Sequence, residues 1–168
     1  MPLWPRARIA WRVDILVSYL AEDHADPRVA LCHGVFDMIH AGHIRYFEAA
    51  KDGMELLVVG LTPDRFVSER QRVPNAPIST HPRPIVPEYW RAVAVAALRI
   101  VDYVVIDDAP HPASLIRRVR PARFCKGAEY QAEPTPAILE AKAAVEAVGG
   151  QMFYTPGDVV FSVSALLQ

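Results

Sequence analysis

Between positions 33 and 43 the chain gathers His33, Gly34, Asp37, His40, Gly42 and His43. Imidazoles at this spacing can bind a metal, pack in a core, or hydrogen-bond an anion. Zinc accepts ligands three residues apart on a helix. Yet Cys32 and Cys125 stand at no zinc-finger spacing from these histidines, and no carboxylate completes an H-E-x-x-H arrangement. Packing is a poor account of two histidines flanking a glycine at a helix start. An anion fits better. Gly34 and Gly42 let backbone amides approach a ligand closely. A helix N-terminus carries unpaired N–H groups and about half a positive charge. His40 and His43, three residues apart across that start, can both point at the same anion, and a polyphosphate suits them.

These residues need elements to hold them. Apolar runs at 28–33, 55–60, 102–107, 122–127 and 151–156 read as strands, with apolar residues adjacent rather than alternating, as in strands covered on both faces. Helical periods fall at 11–20, 41–53, 87–100, 112–119 and 136–150. Pro87 and Pro136 sit at favoured first-turn positions, and Gly53, Gly149 and Gly150 at helix ends. Strand and helix in alternation predict an α/β fold: a Rossmann-like, doubly wound parallel sheet of about five strands with helices on both faces. Ligands bind such sheets at the carboxyl ends of the strands, which puts His33 and Gly34 at the mouth of the site.

With 168 residues the chain is expected to form one domain over 1–168, with 1–27 a leading helix and linker. Residues 68–87 break the rhythm, with five prolines and three arginines and no apolar period. A loop that long in a compact domain is usually functional or disordered. Hydrophobic residues make up 52%, charged residues 22%, and the net charge is -1, so no basic excess is present to neutralise nucleic-acid phosphates. Apolar runs fall well short of the ~20 residues that span a bilayer, and no signal peptide is read at the N-terminus. Two cysteines in apolar surroundings read as buried reduced thiols of a cytoplasmic protein.

The run from Gly34 to His43 matches the pattern G-x-F-D-x-x-H-x-G-H in full through Gly34, Phe36, Asp37, His40, Gly42 and His43. It resembles the signature of the H-x-G-H nucleotidyltransferase superfamily, within it the cytidylyltransferase-like family, and there especially the adenylyltransferase domains that make ADP-heptose. The likeness continues in "RPIVPEYWRAVAVAALRIVDYVV", which places Arg91 at the family's basic position. It extends to "FCKGAEY", similar to the heptose enzymes' K-G-G-D-Y, and to "FSVSALL", where the family has I-S-T-T.

The resemblance implies an enzyme in which a phosphorylated or phosphonate acceptor attacks the α-phosphate of an NTP and releases pyrophosphate. ATP with a sugar phosphate is favoured. CTP with a polyol phosphate, phosphonate or phospho-carboxylate is the alternative, and a non-catalytic nucleotide sensor a further one. It assigns catalysis to His40, His43, Arg91 and Lys126, and nucleotide binding to Gly34, Val35, Phe36, Gly42, Lys126, Ser162 and Ser164. Acceptor contacts are expected from His33, Asp37 and Arg83, and Mg²⁺ arrives with the NTP, with Asp37 as its candidate ligand. Partners are these small molecules and a second copy in a homodimer, with no nucleic acid and no membrane.

Three departures bear on the acceptor. The family's S-T-T is here Ser162, Val163 and Ser164; Tyr89 stands where an acid is common, with Glu88 one place off; and the 68–87 loop is longer than in the heptose enzymes.

Overall fold

The unbroken apolar runs around Leu31 and Val58 become the two central strands of one parallel sheet in the computed structural model of the protein. The structure describes residues 7–24, 26–67 and 84–156. In chain order these form β1 (Arg8–Ala10), α1 (Val13–Asp23), β2 (Val29–Gly34), α2 (Ala41–Lys51), β3 (Leu56–Leu61), α3 (Asp64–Val67), α4 (Glu88–Ala96), β4 (Tyr103–Ile106), α5 (Ala113–Val119), β5 (Arg123–Gly127), α6 (Glu129–Ala132), α7 (Pro136–Ala147) and β6 (Gln151–Thr155).

The strands pair in the order β1-β4-β3-β2-β5-β6, all parallel. This is the expected α/β, Rossmann-like arrangement with one strand more than the apolar runs announce. The addition is β1, which pairs Arg8, Ile9 and Ala10 with Tyr103, Val104 and Val105 at the sheet edge. Three residues are too few to show a period, so only the edge of β4 makes that segment a strand.

Side chains of successive residues leave opposite faces of a strand. On β3, Leu56 and Val58 pack with Leu16, Leu115, Ile116 and Val145. Leu57, Val59 and Leu61 pack on the other side with Phe47, Ala92 and Val95. Helices α1, α5 and α7 therefore cover one face and α2 and α4 the other. Local signals start α7 where expected, Thr135 accepting from the Ile138 amide ahead of Pro136 at the first turn, whereas α4 stops at Ala96, short of the expected 100. After α2 the chain turns through Gly53 at φ 70°, which glycine adopts at little cost.

Neighbours of β2 are β3 on one side and β5 on the other, so the winding reverses there. The crevice between β2 and β5, at their carboxyl ends, is the topological switch point where ligands bind such sheets. The β2–β5 ladder runs only from Ala30↔Arg123 to Cys32↔Cys125. Beyond it the two strand ends, His33-Gly34 and Lys126-Gly127, flank an opening. Arg83, Ser162, Ser164 and residues 68–83 of the long loop lie outside the described residues. Among the described residues no helix is long and apolar enough to cross a membrane.

Candidate active site

At the end of β2 the chain enters the crevice loop through Gly34 and Val35, and Phe36 turns it with a left-handed φ of 50°. Aromatic packing holds this turn: the Phe36 ring lies 5.1 Å from that of Phe47, buried on α2, and a Cβ on Gly34 would meet Phe36 at 3.1 Å. A side chain at position 34 would have to push the Phe36 ring aside by a few tenths of an ångström.

His40 is the N-cap residue of α2, in extended conformation, and its side chain makes no capping bond. The first turn of α2 contains no acid. The helix start is thus left with amide donors and a positive dipole end for a ligand from outside. Over it lie the two imidazoles, stacked with centroids 3.9 Å apart and planes 26° from parallel. Phe36, itself buried, packs edge-on against His43 at 5.2 Å.

This packing fixes their charge. Burial lowers the pKa of His40 and takes that of His43 down to about 4, with the neighbouring His40 as second cause. Near neutral pH, His43 is a neutral imidazole that gives one N–H to an acceptor. Its Nδ1 is buried with no hydrogen-bond partner among the described residues. A polar atom so placed favours a ligand that can satisfy it.

The shift makes stability depend on pH. Unfolded, His43 titrates near 6.5; folded, at about 4. Between those values the unfolded chain holds a proton that the folded one does not. Stability is therefore full above pH 6.5 and falls as pH drops toward 4, by up to about 1.4 kcal/mol per pH unit. His43→Gln should flatten that acid limb in denaturant unfolding at pH 7 and pH 5. Parallel curves for the two proteins would contradict the burial assigned to His43.

Lys126, at the end of β5, donates from Nζ to the His33 carbonyl at 2.6 Å, across the opening between the two strands. The Tyr130 ring lies 5.4 Å from the same ammonium. Below it the Tyr46 hydroxyl donates to the Cys125 carbonyl at 2.7 Å, tying α2 to β5. His40, His43 and Lys126 are thus carried by the two strand ends and the helix start that border the crevice. Both cysteines are buried free thiols one residue behind this border.

Three residues expected to touch substrate are engaged elsewhere. Arg91, the largest fully buried side chain, donates to the carbonyls of Val86, Val35 and Thr62 and to Asp64 Oδ1. It braces the loops after β2 and β3 against the lead-in to α4 instead of presenting its charge to a ligand. Asp37 accepts the Ile85 amide at Oδ2 (3.0 Å) and the Val86 amide at Oδ1 (2.8 Å), joining the histidine loop to the same lead-in. His33 faces inward, its ring fully buried, with Nε2 3.0 Å from Asp107 Oδ2.

Sequence reasoning missed the groups that complete this bracing. Asp64 and Glu88 cap each other's helices, each carboxylate accepting the other's backbone amide, at 2.7 and 3.0 Å. Asp107 and Gly60 were read only as strand residues. Glycine inside a strand does signal a close approach, and here a Cβ on Gly60 would come within 2.9 Å of the His33 ring.

No group of three or more His, Cys, Asp or Glu among the described residues is arranged to hold a metal. Each Asp37 oxygen accepts an amide and so offers a cation only its remaining lone pair. Mg²⁺ keeps several waters and is commonly held by one or two carboxylates together with substrate phosphates.

The sequence profile of a family described as cytidylyltransferase-like matches residues 31–156. The bifunctional protein HldE of Geobacter metallireducens is 35% identical over 132 residues, covering 79% of this chain and 24% of that protein. Its counterpart in Geotalea uraniireducens is 37% identical over 132 residues, with the same coverage, 79% and 24%. The chain spans about a quarter of the length of these curated relatives. A lipopolysaccharide core biosynthesis protein from Thermoplasma volcanium superposes with a TM-score of 0.58 at 22% identity, covering 77% of this chain and 95% of that one. A pantoate-beta-alanine ligase from Francisella tularensis, at 14% identity, also reaches 0.58, covering 89% and 67%. At those identities the likeness is one of fold.

Proposed function

The chain belongs to the cytidylyltransferase-like family, whose members are nucleotidyltransferases, and from that premise we propose the reaction it catalyses. It transfers the nucleoside monophosphate of an NTP, ATP by preference, to a small phosphorylated acceptor such as a sugar phosphate. The observation that carries this reading is the stacked His40–His43 pair over the uncapped start of α2, beside Lys126 at the switch point. "KGAEY" and the likeness to the HldE proteins favour ATP and a sugar phosphate. CTP remains the alternative because the family profile is described by it.

In this reaction an acceptor phosphate oxygen attacks the α-phosphorus and forms a P–O bond. The bond from that phosphorus to the bridging oxygen breaks, and its electrons leave with pyrophosphate. An acceptor phosphate is already an anion, so no general base is needed and no covalent enzyme intermediate is required. What the protein supplies is position and charge stabilisation. His40 and His43 donate N–H groups to triphosphate oxygens, the start of α2 offers amides and its dipole, and Lys126 adds a full charge. Bound negative charge raises the pKa of both imidazoles, so their donors strengthen where charge builds up. Mg²⁺, when bound with the NTP, neutralises its phosphate oxygens.

Pyrophosphate release tests the proposal, with each of the four NTPs against sugar phosphates, polyol phosphates, phosphonates and phospho-carboxylates. Release is expected with ATP and a sugar phosphate. Release confined to CTP would move the assignment to the alternative. Tight nucleotide binding without release under any pairing would overturn catalysis in favour of a sensor.

A further inference from the structure

Position 33 ends inside the protein, and what it does there follows from three contacts. Its ring leaves β2 on the face covered by α5 and passes over β3 at Gly60, its direct neighbour in the register. A Cβ on Gly60 would stand 2.9 Å from His33 Cδ2 and 2.6 Å from Leu115 Cδ2, so only glycine leaves that passage open. On the far side Nε2 meets Asp107 Oδ2 at 3.0 Å, just beyond the end of β4. Neither side chain of the pair has any exposure to solvent.

A carboxylate removed from water needs hydrogen-bond partners, and breaking such a pair leaves an uncompensated group behind. Asp107 has His33 on Oδ2 and the Ala109 amide on Oδ1, at 3.2 Å. Its own amide donates to the Leu61 carbonyl at 2.9 Å. The carboxyl ends of β2, β3 and β4 are joined by this one residue. On the other side of β2, where the β2–β5 ladder has stopped at Cys32↔Cys125, the His33 carbonyl takes the Lys126 ammonium at 2.6 Å. One residue thus holds Asp107 with its ring and Lys126 with its backbone.

We infer that His33 and Asp107 are positioning residues for catalysis: a buried brace, threaded over Gly60, that sets the end of β2 and through the His33 carbonyl aims Lys126 at the transferring phosphoryl group. The inference rests on the proposed role of Lys126, since the brace touches no substrate. It acts on where the ammonium sits, so its loss weakens the transition state more than nucleotide binding.

A double-mutant cycle tests this in the full chain, with Asp107→Asn and Lys126→Ala made singly and together. His33→Asn replaces Asp107→Asn if the latter does not fold, and thermal unfolding of each variant establishes that it does. Asp107→Asn is expected to lower kcat about 10- to 100-fold while the KM for nucleotide changes less than about threefold. In the Lys126→Ala background the same substitution should cost no more than about twofold, because residues that act through one another do not add. If the two losses multiply, Asp107 does not work through Lys126 and the inference falls. A rise in KM with kcat unchanged would overturn it too. If Lys126→Ala alone leaves turnover intact, the fault lies in the role given to Lys126, and the brace loses its object with it.

Discussion

His43→Ala should lower turnover by about 10²- to 10³-fold while the unfolding midpoint moves by only a few degrees. Loss of one preorganised donor at a site of developing charge typically has that effect on rate. The small effect on stability follows from the environment of the ring. It packs edge-on to Phe36 and flat on His40, so alanine forfeits those contacts. It also removes a desolvated imidazole whose Nδ1 has no partner among the described residues, a cost that the folded protein no longer bears. These terms oppose one another, whereas nothing opposes the loss of the donor from the phosphate site. Steady-state kinetics and a thermal melt on the same preparation check both halves. Near-normal turnover would remove His43 from the phosphate site.

The largest effect on stability belongs to Arg91. Its guanidinium is wholly buried and serves Val86, Val35, Thr62 and Asp64. Arg91→Ala strands three carbonyls and a carboxylate, and removing one partner of such a buried network costs about 3–5 kcal/mol. For a domain of this size that is a fall in Tm of about 10 °C. Arg91→Lys should recover less than half, because a single ammonium cannot reproduce a planar fork that reaches several acceptors in different directions. Activity should fall with either change, since the same bonds hold the loop that carries His40. Thermal or urea unfolding decides it, and a Tm within about 2 °C of the wild type in Arg91→Ala would contradict the bracing role.

These two residues show how far the chain could be read without its structure. The placement of His43 in the first turn of α2, beside His40, was legible because its signals are local: the glycines, the helix start and the histidine spacing lie within one turn of loop and one of helix. The sheet was legible for a related reason, since buried parallel strands print themselves as unbroken apolar runs and Thr135, Pro136 and Gly149 mark helix ends. The contacts of Arg91 were not legible. A cation on a short helix reads as solvent-facing or ligand-facing, and its burial arises from carbonyls 56 and 29 residues away, at Val35 and Thr62. The partner of His33 was hidden in the same way, Asp107 lying 74 residues on. Only Gly60, a glycine amid Val58, Val59 and Leu61, hinted that a side chain crosses there. The single turns α3 and α6 and the three-residue β1 carry no period at all and exist through tertiary contacts.

The proposed reaction moves the α-phosphoryl group, with its nucleoside, from an NTP to a phosphorylated acceptor. Incubation with ATP labelled at the α-phosphorus and a sugar phosphate tests it most directly. The label should appear in the sugar-linked nucleotide product, with unlabelled pyrophosphate released in equal amount. Label recovered only in unreacted ATP, or release of inorganic phosphate instead of pyrophosphate with every acceptor and with CTP as well, would contradict it.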